Sequence, residues 1–333
     1  MQKTYHIVKL HFSSPILFSK GIFDYTKTTF NLYSDTLKSA LFVENLNLLN
    51  AIQDPLEFFG KFKISSAFPF YGAHLFFPRP YKNLLIQFTE NAHIAEESKI
   101  RKKRKKIQWL EKSIFEKEIN NQPSQIPLHQ LSSDNLFVFN TDSVPPYIIK
   151  EEILSRVRYH VLEDNEPFDV IRYHFHERAG LFTLIECDDT HFLNNYLYPA
   201  FELLGINGIG GYKTIGHGTF TPQFSSLTLN LPEQSSHLIN LSLFLPQKQE
   251  LESIFNTSLP LYYSLIKRTG YIASTPEFRL KNYRKNAVYM FQNASVFPAQ
   301  ELKGTIVDLT PPHLNTPHPI YRDGTAIFLP III

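Results

Sequence analysis

The residues best suited to chemistry cluster at 205–220, GINGIGGYKTIGHGTF, where six of the chain's 13 glycines surround Lys213, Thr214 and His217. Glycine loses more conformational freedom on ordering than any other residue, so a cluster this dense marks backbone with φ > 0 or backbone lying close to a ligand. With a lysine and a threonine among the glycines, the chemistry suggested is anion binding by amide N–H groups and a cation. The nucleotide motifs do not fit. A P-loop anchored on Lys213-Thr214 would need glycines where Asn207 and Tyr212 stand. G-x-G-x-x-G ends on Lys213 if started at Gly208, and on Thr221 if started at Gly216. Both motifs also leave a strand and open a helix, whereas this loop follows a helical pattern and precedes an extended one. The plainer alternative is a turn between helix and strand, but six glycines are more than a turn needs.

The elements that must position this loop can be read from the periodicity. Residues 4–12, TYHIVKLHF, alternate as a strand. A helix follows with Ser34 or Asp35 as its cap and Leu37, Ala40, Leu41 and Leu48 on one face. Residues 63–80 read as extended chain broken by Pro and Gly. The stretch from about 81 to 150 reads as an insertion. It contains the run KIRKKRKK at 99–106 and a short helix through Trp109 to Glu118. Residues 168–187 read as a hairpin turning at Glu177-Arg178-Ala179-Gly180. A second helix starts at Asp188 or Asp189, is bent by Pro199, and runs into the glycine loop and a last strand. The order β-α-β-β-α-β predicts an α+β fold with a ferredoxin-like domain over 1–230. Residues 231–333, where strands dominate, read as a second ferredoxin-like domain.

Composition narrows the class. A chain of 333 residues, 43% hydrophobic and 14% aromatic, suits about two folded domains. The net charge of +2 says nothing about partners in bulk. One cysteine, Cys187, excludes internal disulfides and cysteine-based zinc clusters. The N-terminus alternates rather than forming the apolar run of a signal peptide, and no window reaches the roughly 20 apolar residues of a membrane span. A cytoplasmic setting is expected.

Five segments in order carry a resemblance: YSDTLKSAL at 33–41, ISSAFPFYGAHLFFPRP at 64–80, GIGGYKTIGHGTF at 208–220, TGYIAS at 269–274 and TPPHLNTPHPIYRDGTAIFLP at 310–330. With two ferredoxin-like units and a glycine-rich loop after the last helix of the first, the chain resembles the RAMP superfamily of CRISPR proteins. Within it, the motifs look like the Csm subunit that caps the 5′ end of the guide RNA in type III-A effector complexes. The resemblance implies a non-catalytic subunit in antiviral defence. It would hold the repeat-derived 5′ handle of the crRNA and dock onto the large polymerase-like subunit and a backbone RAMP subunit.

Single-stranded RNA is held by cations and amides at phosphates and by aromatic faces at bases. On that basis the candidate RNA contacts are Gly208, Gly210, Gly211, Lys213, Thr214, His217 and Gly218 in the loop. Lys20, Gly21, Ser34 and Lys38 precede and open the first helix. Ser66, Phe68 and Arg79 come from the 64–80 segment, with Phe68 equally suited to core packing. Arg279, Arg284 and Lys285 form a basic cluster in the second unit. The basic run at 99–106 fits a solvated helix face as well as it fits a nucleic-acid contact. The enzyme alternative, also drawn from this superfamily, is a CRISPR RNA-processing endonuclease using a His to move protons during 2′-hydroxyl attack. Of the candidates His11, His74, His174, His176 and His217, the last is best placed, and a passive hydrogen-bonding role suits it equally. His174 and His176 alternate on a strand as surface residues do, and no zinc spacing occurs, so no metal or cofactor is expected.

Overall fold

The computed structural model describes residues 1–19, 28–89, 94–158, 166–272, 283–316 and 318–333; Lys20, Gly21 and Arg279 lie outside them. The fold is α+β. The first strand, Gln2–Phe12, lies between Phe220–Asn230 and Ala179–Glu186, antiparallel to both. Ala179–Glu186 pairs in turn with Phe68–Tyr71 and, beyond a break, with Lys63–Ile64. These strands, with the helices Ser34–Asn45 and Tyr198–Asn207, complete the βαββαβ order of a ferredoxin-like unit.

Strand alternation sends successive residues to opposite faces, and here both faces are covered. Val8, Leu10, Leu181 and Ile185 pack beneath the two helices against Leu37, Leu41, Leu197, Phe201 and Leu204. Tyr5, Ile7, Phe182 and Leu184 face the other way, into a core shared with Phe77, Phe115, Ile239, Val296 and Leu329. Each such side chain, fully buried, contributes about 1.5–3 kcal/mol.

The second helix begins as expected, with Asp189 accepting from the Phe192 amide at 2.9 Å. Pro199 has no N–H to give to the preceding turn. The chain accommodates this with a π-helical turn over Leu193–Leu197 before the α-helix resumes at Tyr198.

Two expectations are corrected. The stretch 168–187 is not a hairpin: Glu166–Phe175 pairs with Ile149–Arg158 in a separate two-stranded ribbon, while Ala179–Glu186 enters the main sheet. The turn at 177–180 thus joins two sheets, and β-rich runs around a turn cannot by themselves say which partners they take. The other is the helix expected from Trp109 to Glu118. Trp109–Glu111 and Phe137–Val138 extend the main sheet through His74–Pro78. Trp109 lies in that strand, 5% exposed, and the helix starts only at Lys112.

The C-terminal residues form a second unit. Its three-stranded antiparallel sheet has His237–Asn240 between Val296–Pro298 and Phe328–Ile331. The helix Lys248–Phe255 and the strand pairs Leu265–Arg268 with Val288–Phe291 and Ile306–Asp308 with Tyr321–Asp323 complete it. Among the described residues, no helix is long and apolar enough to cross a membrane.

Candidate nucleic-acid interface

Where the two units meet, two adjoining clefts of about 450 and 380 Å3 share the wall Asn31, Leu32 and Tyr33. The smaller runs from Gly210 and Gly211 of the glycine loop to Lys267 and Arg268 of the C-terminal unit. The larger continues past Ser66 and Ala67 to Arg79, Tyr81, Lys105 and Trp109, with Gln292 and Asn293 opposite. The result is a groove with cations along its length and tyrosines in its walls. The Arg268 guanidinium stacks 5.1 Å from the Tyr33 ring centre, close enough for a cation–π contact.

Arg268 is held in place from below. Its Nε and Nη2 donate to the two carboxylate oxygens of Asp35 at 3.0 Å each, and Nη2 also reaches Thr36 Oγ1 at 2.8 Å. Asp35 additionally accepts from Arg322. Burial alone would raise the Asp35 carboxyl, but the charges of Arg268 and Arg322 outweigh it and hold the group below the usual carboxylate range. Two arginines on one carboxylate leave this corner positive. Burial and the neighbouring Arg322 push the half-buried ammonium of Lys285 down to about 8.

The glycine loop is explained by its own packing. Gly208 and Gly218 both have φ of 75°; an added Cβ would lie 2.5 Å from the His217 carbonyl oxygen in one case and 2.0 Å from that of Ile209 in the other. Gly210 and Gly211 lie against Leu17, and the Gly211 amide donates to its carbonyl at 2.8 Å. Most amides of the loop are used internally: Ile209 to Gly218, Gly216 to Lys213, His217 to Tyr212, Gly218 to Pro15. The inference that so many glycines exceed structural need is therefore corrected for five of the six: the close approach permitted by Gly205, Gly208, Gly210, Gly211 and Gly218 is to the chain itself, while Gly216 faces open space. What the loop offers outward is its tip, Lys213 to Gly216, which is exposed. The amides of Gly210, Lys213 and Thr214 have no acceptor among the described residues.

Three candidates lie too deep to touch a ligand. Lys38 is 0% exposed; its Nζ pairs with Asp323 Oδ2 at 2.7 Å and donates to the Phe62 carbonyl at 2.8 Å. Ser34 is the first helical residue rather than the cap, a position taken by Tyr33, and its Oγ accepts from the Leu243 amide at 2.9 Å. Phe68 is wholly buried and stands edge-on to Phe182. Helical spacing placed Lys38 near the phosphate-ready end of the helix, but it could not show that the C-terminal unit covers that face.

Ser66 is almost buried at 3% and accepts from the Ser34 amide at 3.2 Å, while still contributing to the groove wall. Arg79 is half-exposed and its Nη1 donates to the carbonyls of Arg104 and Lys105, at 3.2 and 3.4 Å. Arg284 is exposed, stacked on Tyr271, and outside the groove lining. The residues that the sequence reading missed are Tyr33, Lys267, Arg268 and Tyr81; Lys105 belongs to the basic run at 99–106, already weighed as a nucleic-acid contact. Tyr33 stands inside a quoted motif, and Lys267-Arg268 immediately precedes another, which is the only signal they carried.

The histidines are engaged. His217, 7% exposed, meets Arg172 Nη1 through Nε2 at 3.2 Å. Burial and then the Arg172 charge lower its pKa, so at neutral pH it is a neutral acceptor for the guanidinium. With Arg156 stacked 5.0 Å over Tyr212, this contact ties the ribbon of 149–158 and 166–175 to the glycine loop. His174 shares Glu152 with Arg172, at 2.6 Å to each. His176 Nδ1 accepts from the Arg178 amide at 3.1 Å.

An antiparallel ferredoxin-like sheet, a glycine-rich loop after its second helix and a basic groove toward a second unit are the features in which this chain resembles the RAMP-type CRISPR proteins. The comparisons with known proteins agree. Within that class the likeness is to Csm4: residues 233–331 match the family model described as the CRISPR Csm4 C-terminal domain. The curated "CRISPR system Cms protein Csm4" of Thermococcus onnurineus (strain NA1) is 24% identical over 247 residues, 72% of this chain and 74% of the relative. Among solved structures, a chain of a Csm1–Csm4 cassette in complex with cA4 superposes with a TM-score of 0.62 at 18% identity, covering 99% of this chain and 98% of that one. A chain of the Csm3–Csm4 subcomplex of a type III-A CRISPR–Cas interference complex gives 0.62 at 16% identity, covering 99% of each.

Proposed function

We propose that this chain is a subunit of a type III-A CRISPR effector complex that holds the 5′ handle of the crRNA without cleaving it. The observation that carries this reading is the continuous groove from the glycine loop past Tyr33 and Arg268 to Arg79 and Lys105. Cations and free amides there suit phosphates, and tyrosine faces suit unstacked bases. Assembly with a large subunit and a backbone subunit is supported by the Csm1–Csm4 and Csm3–Csm4 structures whose fold it shares. Domain limits of 1–230 and 231–333, with the groove between them, belong to the same proposal. A holding role also suits His217. Its Nε2 lone pair accepts from Arg172, so that nitrogen is not free to take the proton of a 2′-hydroxyl.

The test is a labelled single-stranded RNA carrying the handle, run with the purified chain on native and denaturing gels beside a scrambled handle and a DNA version. A native shift that prefers the handle, with RNA intact on the denaturing gel, is the expected result. Cleavage that disappears in His217→Ala would replace this reading with the processing endonuclease. Lys267→Gln and Lys213→Ala should each make the salt dependence of log K shallower by about 0.7. Wild-type slopes in both would remove these two cations from the interface.

A further inference from the structure

The chain's densest charge lies beyond the groove. Seven of the eight residues 99–106 are Lys or Arg, and without them the formal net charge of +2 would be −5. They occupy the last two turns of the helix Ile94–Lys106, where residues 101–106 are all exposed. A helix kept for packing shows an apolar stripe; from Ser98 to Lys106 this one has Ile100 alone. Like charges three and four residues apart repel, so each such pair destabilises the helix by a few tenths of a kcal/mol. Cations near the C-terminus recover some of this from the helix dipole. Arg79 adds a cap by donating to the carbonyls of Arg104 and Lys105. That cap brings a further cation to an already positive end, and burial together with the Arg104 charge lowers the Arg79 pKa. The arrangement is one that a polyanion would relieve.

Its position names the polyanion. Lys105, Ile107 and Gln108 line the larger cleft, so the basic helix ends in the groove wall. Arg101 and Lys102, four and three residues before Lys105, share its side of the helix. Lys99, Lys103 and Lys106 turn away from it. We propose that Arg101, Lys102 and Lys105 form a second phosphate-binding element, which grips the sugar–phosphate backbone of the RNA strand beyond the part held in the groove, without reading its sequence. The proposal rests on the reading of the groove as an RNA site. Without an apolar face, the helix does not suit a membrane surface.

The experiment uses the full chain and fluorescent single-stranded RNAs: the handle alone, the handle extended by unrelated sequence, and a scrambled handle with the same extension. Two triple variants remove equal charge, R101Q/K102Q/K105Q on the groove side and K99Q/K103Q/K106Q on the far side. Glutamine keeps the helix propensity of lysine and arginine, so the helix should survive both. On the extended RNA the groove-side variant should make the salt slope shallower by about 2, from about 0.7 for each of three contacts. The far-side variant should change the slope much less. A wild-type slope in the groove-side variant, as for a helix that meets an acidic protein surface, would overturn the proposal. So would equal losses from both triples, which would mean general attraction with no defined face. If wild type shows no preference for the handle, the groove reading fails, while the contrast between the triples still decides the helix.

Discussion

Lys38→Met is the sharpest test of how the two units hold together. The ammonium and its partner Asp323 are 0% and 4% exposed at 2.7 Å, one on the first helix and the other in the C-terminal unit. Methionine fills much of the same volume but leaves Asp323 buried with only Thr325, among the described residues, to satisfy it, through its amide at 3.0 Å and its hydroxyl at 2.9 Å. Removing one partner of a buried pair costs about 3–5 kcal/mol, because the other charge is left without compensation. For a chain of this length about 2 °C of Tm is lost per kcal/mol, so melting should fall by about 6–10 °C. The double variant Lys38→Met/Asp323→Asn removes the stranded charge and should recover most of that loss. Thermal melts of the four proteins by circular dichroism give the cycle, and RNA titrations at several salt concentrations follow below the lower Tm. The folded Lys38→Met protein should keep the wild-type salt slope, since a wholly buried ammonium releases no counterion from RNA. A loss of under 1 kcal/mol with a shallower slope would falsify this account and return Lys38 to the interface.

The remaining predictions concern the loop and the basic corner. Gly218→Ala puts a Cβ 2.0 Å from the Ile209 carbonyl oxygen, whereas at Gly216 an added Cβ meets nothing within 4 Å. Both have positive φ, so Gly216→Ala should cost only the left-handed penalty of about 1–2 kcal/mol, and Gly218→Ala should melt well below it. Equal Tm losses would mean that the loop is not closely packed. Lys285, pushed down to about 8, is largely charged at pH 7 and largely neutral at pH 9. A phosphate beside it would favour the charged form, so RNA binding should take up a proton and weaken as pH rises between those values. Lys285→Arg, charged throughout, should flatten the profile; if wild type is already flat, Lys285 lies away from the RNA.

Much of the fold was legible because it is written in local periodicity. The alternation of residues 4–12, the apolar spacing of the two helices and the disturbance at Pro199 all report contacts within one element and its immediate neighbours. Motif order carried the resemblance, and the comparisons bear it out. Partner choice was not legible. The stretch 168–175 has the pattern of a strand whichever neighbour it takes, and only the assembled sheets pair it with 149–158 rather than with 179–186.

The site divides in the same way. Residue types alone marked one glycine-rich loop with a lysine in it, and motif order pointed to that loop and to residues 64–80. Exposure decides which of those residues can meet a ligand, and exposure depends on chain hundreds of positions away. Lys38 and Ser34 are covered by Asp323 and Leu243. Gly208, Gly210, Gly211 and Gly218 are required by contacts with Leu17, Ile209 and His217. Arg268 reaches the groove because Asp35, 233 positions earlier, holds its guanidinium there. The sequence by itself determined the local elements and the order of the motifs, because propensity and charge belong to residues and their near neighbours. Only the tertiary structure decided which cations are paired with carboxylates inside and which line an open groove, because burial is set by chain far away in sequence.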